Sequence, residues 1–142
     1  MRLPGFVVLM AVVLVGPGCG SGASKAPGLP PLVPVRGSVL YQGKPLEGVA
    51  VEFHPLFDMG AVKFSPFGKT AADGTFTLVS GNDGAPVGEY AVTFTYPDPK
   101  WDPQEGGTPA DRWKGKYSNA AKSKFKVKIA EGSNDLEPFK LD

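Results

Sequence analysis

A chain of 142 residues with 15 basic and 14 acidic side chains has room for one domain with one core. It lacks the charge excess that electrostatic capture of nucleic acid requires, so no nucleic-acid partner is expected. One cysteine and one histidine exclude an internal disulfide and a Cys/His metal cluster.

The chain begins with Met1-Arg2, the apolar run Phe6 to Val15, then Gly16-Pro17-Gly18-Cys19. A charged start, a ten-residue apolar stretch and small residues at the cut describe a secretory signal peptide. At ~1.5 Å per helical residue the run covers about half of a ~30 Å hydrocarbon core, too little to span a membrane. A lone cysteine directly after such a run resembles the lipobox of bacterial lipoproteins. In that family the cysteine is diacylated and becomes the new N-terminus. Gly18 suits the position before the cysteine, while Gly16 stands where the family usually has leucine. The alternative is an ordinary signal peptide cut near Gly18 or Gly20. Diacylation would anchor the protein stably, because two chains hold where one does not.

Cutting before Cys19 removes Arg2, which brings the basic side chains to 14 and level with the 14 acids. Residues 19–34 hold the cysteine and a Gly/Ser/Pro-rich stretch with no period that buries a face. That stretch reads as a flexible tether. The domain is expected over residues 35–142.

From there Gly and Pro punctuate the chain every eight to twelve residues, and the segments between them alternate apolar with polar, which is the pattern of an all-β sandwich or barrel. Strands are expected at 35–41, 49–54, 75–80, 89–96, 124–130 and 136–141, with a weaker one at 62–70. Period two puts Phe125, Val127 and Ile129 on one face and Lys124, Lys126 and Lys128 on the other. The same spacing groups Val49 with Val51 and Phe53, Phe76 with Leu78, and Tyr90 with Val92, Phe94 and Tyr96, enough for a core between two packed sheets. Gln42-Gly43-Lys44-Pro45 predicts the first hairpin turn and Asp73-Gly74 a second. Gly84 to Gly88 makes a tight entry, after which Tyr90 can plug one end of the sandwich with its hydroxyl bonded to a loop.

Taken in order, residues 35–49, 70–78, 84–93 and 116–118 resemble the carboxypeptidase regulatory-like domains with a transthyretin-like, prealbumin-type sandwich, in the form found in small bacterial lipoproteins. The resemblance implies a single Greek-key β-sandwich of about seven strands over roughly residues 33–142. Its motifs are motifs of fold. A hydrolase branch of the same fold relies on several histidines and a C-terminal Tyr-Arg-Gly-Ser, whereas this chain ends Phe139-Lys140-Leu141-Asp142. Its related starch-binding-like folds bind glycans.

Three features bear on chemistry. His54 sits at a strand end beside Pro55 and reads as structural or surface-lying; as a general base it would need a carboxylate beside it in a pocket. The segment 97–116 holds Trp101 and Trp113 with four acids, four prolines and Gly106-Gly107. Its tryptophans are expected to cover the open end of the sandwich, and the alternative is a sugar-stacking platform. Asp98, Asp102 and Glu105 lack the alternate spacing of a calcium loop, so no metal site or cofactor is expected. The six lysines from Lys114 to Lys128 have no acid among them and read as a solvated face guarding an edge strand.

The sequence therefore points to a non-enzymatic, lipid-anchored β-sandwich at the cell envelope, outside the cytoplasm. Its expected role is that of a structural or protein-interaction module. The membrane is its expected partner through Cys19, with an envelope protein or a glycan as further partner. A carbohydrate-binding module using Trp101 or Trp113 is the alternative, and a small hydrolase built on His54 the third reading.

Overall fold

A computed structural model describes residues 30–78 and 84–142. The signal-peptide and Cys19 readings lie outside the described residues, as do the last two residues of the strand expected at 75–80. The described chain is all-β, with two short 3-10 turns at Pro103–Glu105 and Ala120–Lys122. No helix among the described residues is long and apolar enough to cross a membrane.

Two sheets face each other. The first is organised around β2 (Val35–Tyr41), the strand expected there with the same bounds. On one side β2 pairs antiparallel with β6 (Thr75–Thr77) and β3 (Lys44–Pro45). On the other it pairs parallel with β10 (Asn134–Asp135) and β11 (Phe139–Leu141). The second sheet runs β5 (Phe67–Lys69), β4 (Ala50–Pro55), β8 (Gly88–Thr95), β9 (Lys126–Ile129), all antiparallel. Val35, Val39, Phe76, Phe139 and Leu141 from the first sheet meet Val51, Phe53, Tyr90, Val92, Phe94 and Ile129 from the second in one buried cluster. Phe139 is its hub, with Phe53, Phe76, Phe94 and Phe125 all within 6.5 Å between ring centres. The inward faces deduced from period two are the ones that pack on this cluster, with Phe125, Val127 and Tyr96 half-buried.

The hairpin β2–β3 turns on Gln42 and Gly43, both with positive φ (51° and 78°). That is the mirror-image turn whose twist matches paired strands. The Asp73-Gly74 turn differs from the hairpin expected of it. The strand before it, β5, pairs with β4, and the strand after it, β6, pairs with β2. The turn therefore carries the chain from one sheet to the other. It is held locally by Gly74 N to Ala71 O (2.8 Å) and by Asp73, whose carboxylate accepts from the backbone and hydroxyl of Thr75. A dipeptide that permits αL specifies a reversal, not which strands pair across it.

The chain also joins the fold earlier than residue 35. Leu32–Val33 forms β1, antiparallel to β7 (Ala85–Pro86), and Val33 packs on the core. Proline-rich composition read as tether here conceals an edge strand, where proline is tolerated. Conversely, 62–70 yields only the three-residue β5, and the stretch from Leu56 to Ser65 is irregular. In β8 both faces are covered, Ala91 and Thr93 as well as Tyr90, Val92 and Phe94; on the outer face Thr93 is bonded by His54, and residues 117–125 run along the strand's edge.

The register fixes two ends. Pro55 pairs with Tyr90, and Leu56 N bonds Glu89 O (2.9 Å), so the stretch after β4 leaves beside β1 and β7. Ala50 pairs with Thr95, so segment 97–116 lies at the opposite end.

Candidate functional site

Segment 97–116 is pinned where it leaves and rejoins the sheet. Pro97 and Asp111 form an isolated antiparallel bridge, and Arg112 N bonds Tyr96 O (2.8 Å). Asp111 fastens this base: one carboxylate oxygen accepts from Tyr96 N (2.9 Å) and Trp113 N (3.0 Å), the other from Gly115 N (2.9 Å). Charge-assisted bonds from three backbone donors make this half-buried carboxylate a structural clamp.

The clamp presents Trp113 to the end of the sandwich. Its ring packs at 5.4 Å from Tyr41, 5.3 Å from Tyr96 and 5.2 Å from Tyr117, the last edge-on at 83°. Arg112 lies over the other aromatic, Tyr96, at 4.6 Å. Tyr117 and Lys116 in turn hold Asp142 at the end of β11. Trp113 is half-buried against the core.

Trp101 occupies a different place. With Tyr96, Pro97, Pro99 and Pro109 it forms one wall of an open groove of about 870 Å³, and Leu46, Gly48 and Thr70 form the other. Glu47, Lys69 and Asp98 bring charge to its rim. Thr70, buried at the base, donates to Leu46 O (2.6 Å) and accepts from Val49 N (2.9 Å), fixing the second wall. Tyr96 belongs to both assemblies, lining the groove and packing its ring against Trp113. A concave, mostly apolar surface with a few charged groups is the ordinary form of a ligand site.

Asp98 and Asp102 use one carboxylate oxygen each to close local turns, accepting from Lys100 N (2.9 Å) and Gln104 N (2.8 Å). Among the described residues no three acids or imidazoles converge as metal ligands.

His54 stands on the outer face of β4. Its Nε2 is 2.8 Å from the hydroxyl of Thr93 and 4.0 Å from the carboxylate of Glu52. Both approach the same ring nitrogen. A nucleophile relay needs them on opposite nitrogens, one to receive the proton and one to orient the ring, and Thr93 is itself buried.

The groove's second wall, Leu46 to Gly48 with Thr70, is not signalled by composition. The clamp is: Asp111 with donors two and four residues ahead is the local bonding pattern of an aspartate that organises a loop.

The class that fold and site define is an all-β domain with a clamped, aromatic-capped end beside an open groove. Neither the protein-family models nor the curated proteins include a match to this chain. Among solved structures it is similar to a 9R-lipoxygenase from Cyanothece PCC8801, at 16% identity and a TM-score of 0.42, over 78% of this chain and 16% of that one. This chain thus spans less than a fifth of the lipoxygenase, and so slight a likeness carries neither fold nor activity to it.

Proposed function

We propose that this protein is a non-enzymatic, lipid-anchored module of the cell envelope, acting outside the cytoplasm by binding a partner in the groove beside Trp101. The observation that carries the reading is the groove's position, at the end of the sandwich opposite the strand by which the N-terminal chain enters. An anchored receptor works best with its site away from the anchor. The lipobox-like Cys19 supplies the anchor in this reading, and the resemblance to transthyretin-like lipoprotein domains accords with a sandwich used as scaffold. The one-sided surroundings of His54 weigh against hydrolysis.

A glycan is the second reading of the partner. Trp101 is partly exposed along the groove with Glu47 and Asp98 near it, and an aromatic face with carboxylate acceptors suits a sugar ring and its hydroxyls.

The test of the anchor is mass spectrometry of protein made in a lipoprotein-processing bacterial host. The expected N-terminal peptide begins at Cys19 with acyl mass added, from protein in the membrane fraction. An unmodified thiol on protein recovered free of membrane overturns it.

A further inference from the structure

We infer that the end of the sandwich next to the tether is itself a membrane-contact surface, and that it sets the domain upright with its groove facing away from the bilayer. This rests on the proposed acylation of Cys19.

Four large apolar side chains are conspicuously exposed among the described residues: Leu56 (52%), Val62 (38%), Val87 (41%) and Phe67 (58%). Apolar exposure scattered singly is normal in soluble domains. Here three of the four gather at one end. Leu56 is bonded through its backbone to Glu89, Val87 lies between β7 and β8, and Val62 belongs to the stretch whose neighbours Phe57, Lys63 and Phe64 line a depression of about 490 Å³ beside Pro55. Phe67 lies further along, on the edge strand β5. The footing beneath Leu56 and Val87 is firm. Phe57 lies edge-on to Tyr90 at 5.3 Å, over Gly88, where a Cβ would meet its ring at 2.3 Å. Charge at this end is mixed: Asp58, which bonds Gly60 N, Glu89, Glu131 and Asp135 stand with Arg36, Lys63 and Lys128, Glu89 opposite Lys128 across β8 and β9 and Asp135 opposite Arg36 across β10 and β2.

The occupant follows from where the chain goes. From Cys19 to Pro30 the chain reaches at most about 40 Å at ~3.6 Å per residue, whereas the eight residues of β8 rise about 26 Å at ~3.3 Å each. The connection is thus long enough to let either end face the bilayer, and the choice falls to the surfaces. The end where β1 enters carries Leu56, Val62 and Val87; the other carries exposed charges of both signs, among them Glu47, Asp98 and Asp102 with Lys69, Arg112 and Lys114, and so the apolar side chains decide the choice. Interfacial binding grows with apolar area buried among the headgroups. Acylation makes the contact intramolecular, at high effective concentration, so a small apolar patch suffices to orient a domain it could not recruit alone.

Spin labels test this in acylated full-length protein on vesicles of phosphatidylethanolamine and phosphatidylglycerol. Acylation blocks Cys19, so Val62→Cys, Val87→Cys and Thr108→Cys each carry one label. The expected result is that labels at positions 62 and 87 relax faster with oxygen than with a water-soluble nickel complex, and that the label at 108 shows the reverse order. Replacing Leu56 and Val87 together by serine is expected to shift the label at 62 towards nickel while the protein still sediments with vesicles. If labels at 62 and 87 are as accessible to nickel as the one at 108 on sedimenting, acylated protein, the contact surface is refuted and the anchor stands. If the protein is not acylated and does not sediment, the anchor and this inference both fall.

Discussion

The two ends of this sandwich solve the same packing problem differently. Beside β1 and β7 a single side chain closes the end: Tyr90 is fully buried, its hydroxyl donates to Pro86 O at 2.7 Å, and Phe57 seals it edge-on. At the far end a rim of half-buried aromatics, Tyr41, Tyr96, Trp113 and Tyr117, is hung from one carboxylate, Asp111. Beside the plug the surface holds a depression of about 490 Å³, while the rim borders a groove of about 870 Å³. The far end therefore offers the more room for a ligand.

The comparison breaks most readily at Tyr90. Tyr90→Ala is expected to cost ~3–5 kcal/mol, as for large aromatic truncations in a core, a large share of the ~5–15 kcal/mol of a typical domain. Tyr90→Phe keeps the ring and loses the hydrogen bond, for about 1 kcal/mol. It also changes the pH dependence. Burial raises the pKa of Tyr90 above its ordinary value of 10.0, so folding favours the protonated phenol. Its contribution is complete below about pH 10 and is lost as pH rises towards the raised folded value. Urea melts from pH 8 to 11 should show Tyr90→Phe losing less stability over that range than the parent. Parallel curves would mean the phenol is not sealed, and the plug would be no different from the rim.

Trp113→Ala sharpens the contrast. Although larger than Tyr90, Trp113 is half-buried, so its truncation is expected to cost about 2 kcal/mol on the scale of apolar area removed from water plus ring contacts. The same urea melts decide it. A loss equal to that of Tyr90→Ala would make the far end as much core as the near one.

What was legible follows the same division. Periodicity placed β2, the inward faces of β4, β6 and β8, and buried Tyr90, because burial along regular strands leaves a period-two trace; the hydroxyl bond expected to reach a loop goes to Pro86 in β7. Strands of two residues leave none, which hides β1 within a proline-rich stretch and β10 before β11. The parallel pairing of β2 with β11 joins residues about a hundred positions apart, and no local signal encodes it. The site was half legible. Trp101 and Trp113 stood out by composition, but their separation into groove and cap depends on Asp111 choosing Trp113 N as a donor. The facing wall comes from residues 46–48 and Thr70, remote in sequence and ordinary in type.

The smallest expected effect on stability is at Trp101, and it is the most telling for function. Trp101 N bonds Asp98 O at 3.1 Å within its own loop, and its side chain borders open groove, so Trp101→Ala is expected to change stability within about 0.5 kcal/mol, as surface substitutions do. Its fluorescence, isolated in a Trp113→Phe background, should be quenched by iodide more strongly than that of Trp113 in the matching Trp101→Phe protein. Soluble polysaccharides titrated into the first protein would then report on the groove directly. Saturable change that Trp101→Ala abolishes, in a protein that melts like the parent, would identify the partner as a glycan. A flat titration would leave the groove to an envelope protein. A Trp101→Ala protein that melts early would show instead that Trp101, like Trp113, belongs to the cap, and the distinction between plug and rim would no longer locate a binding site.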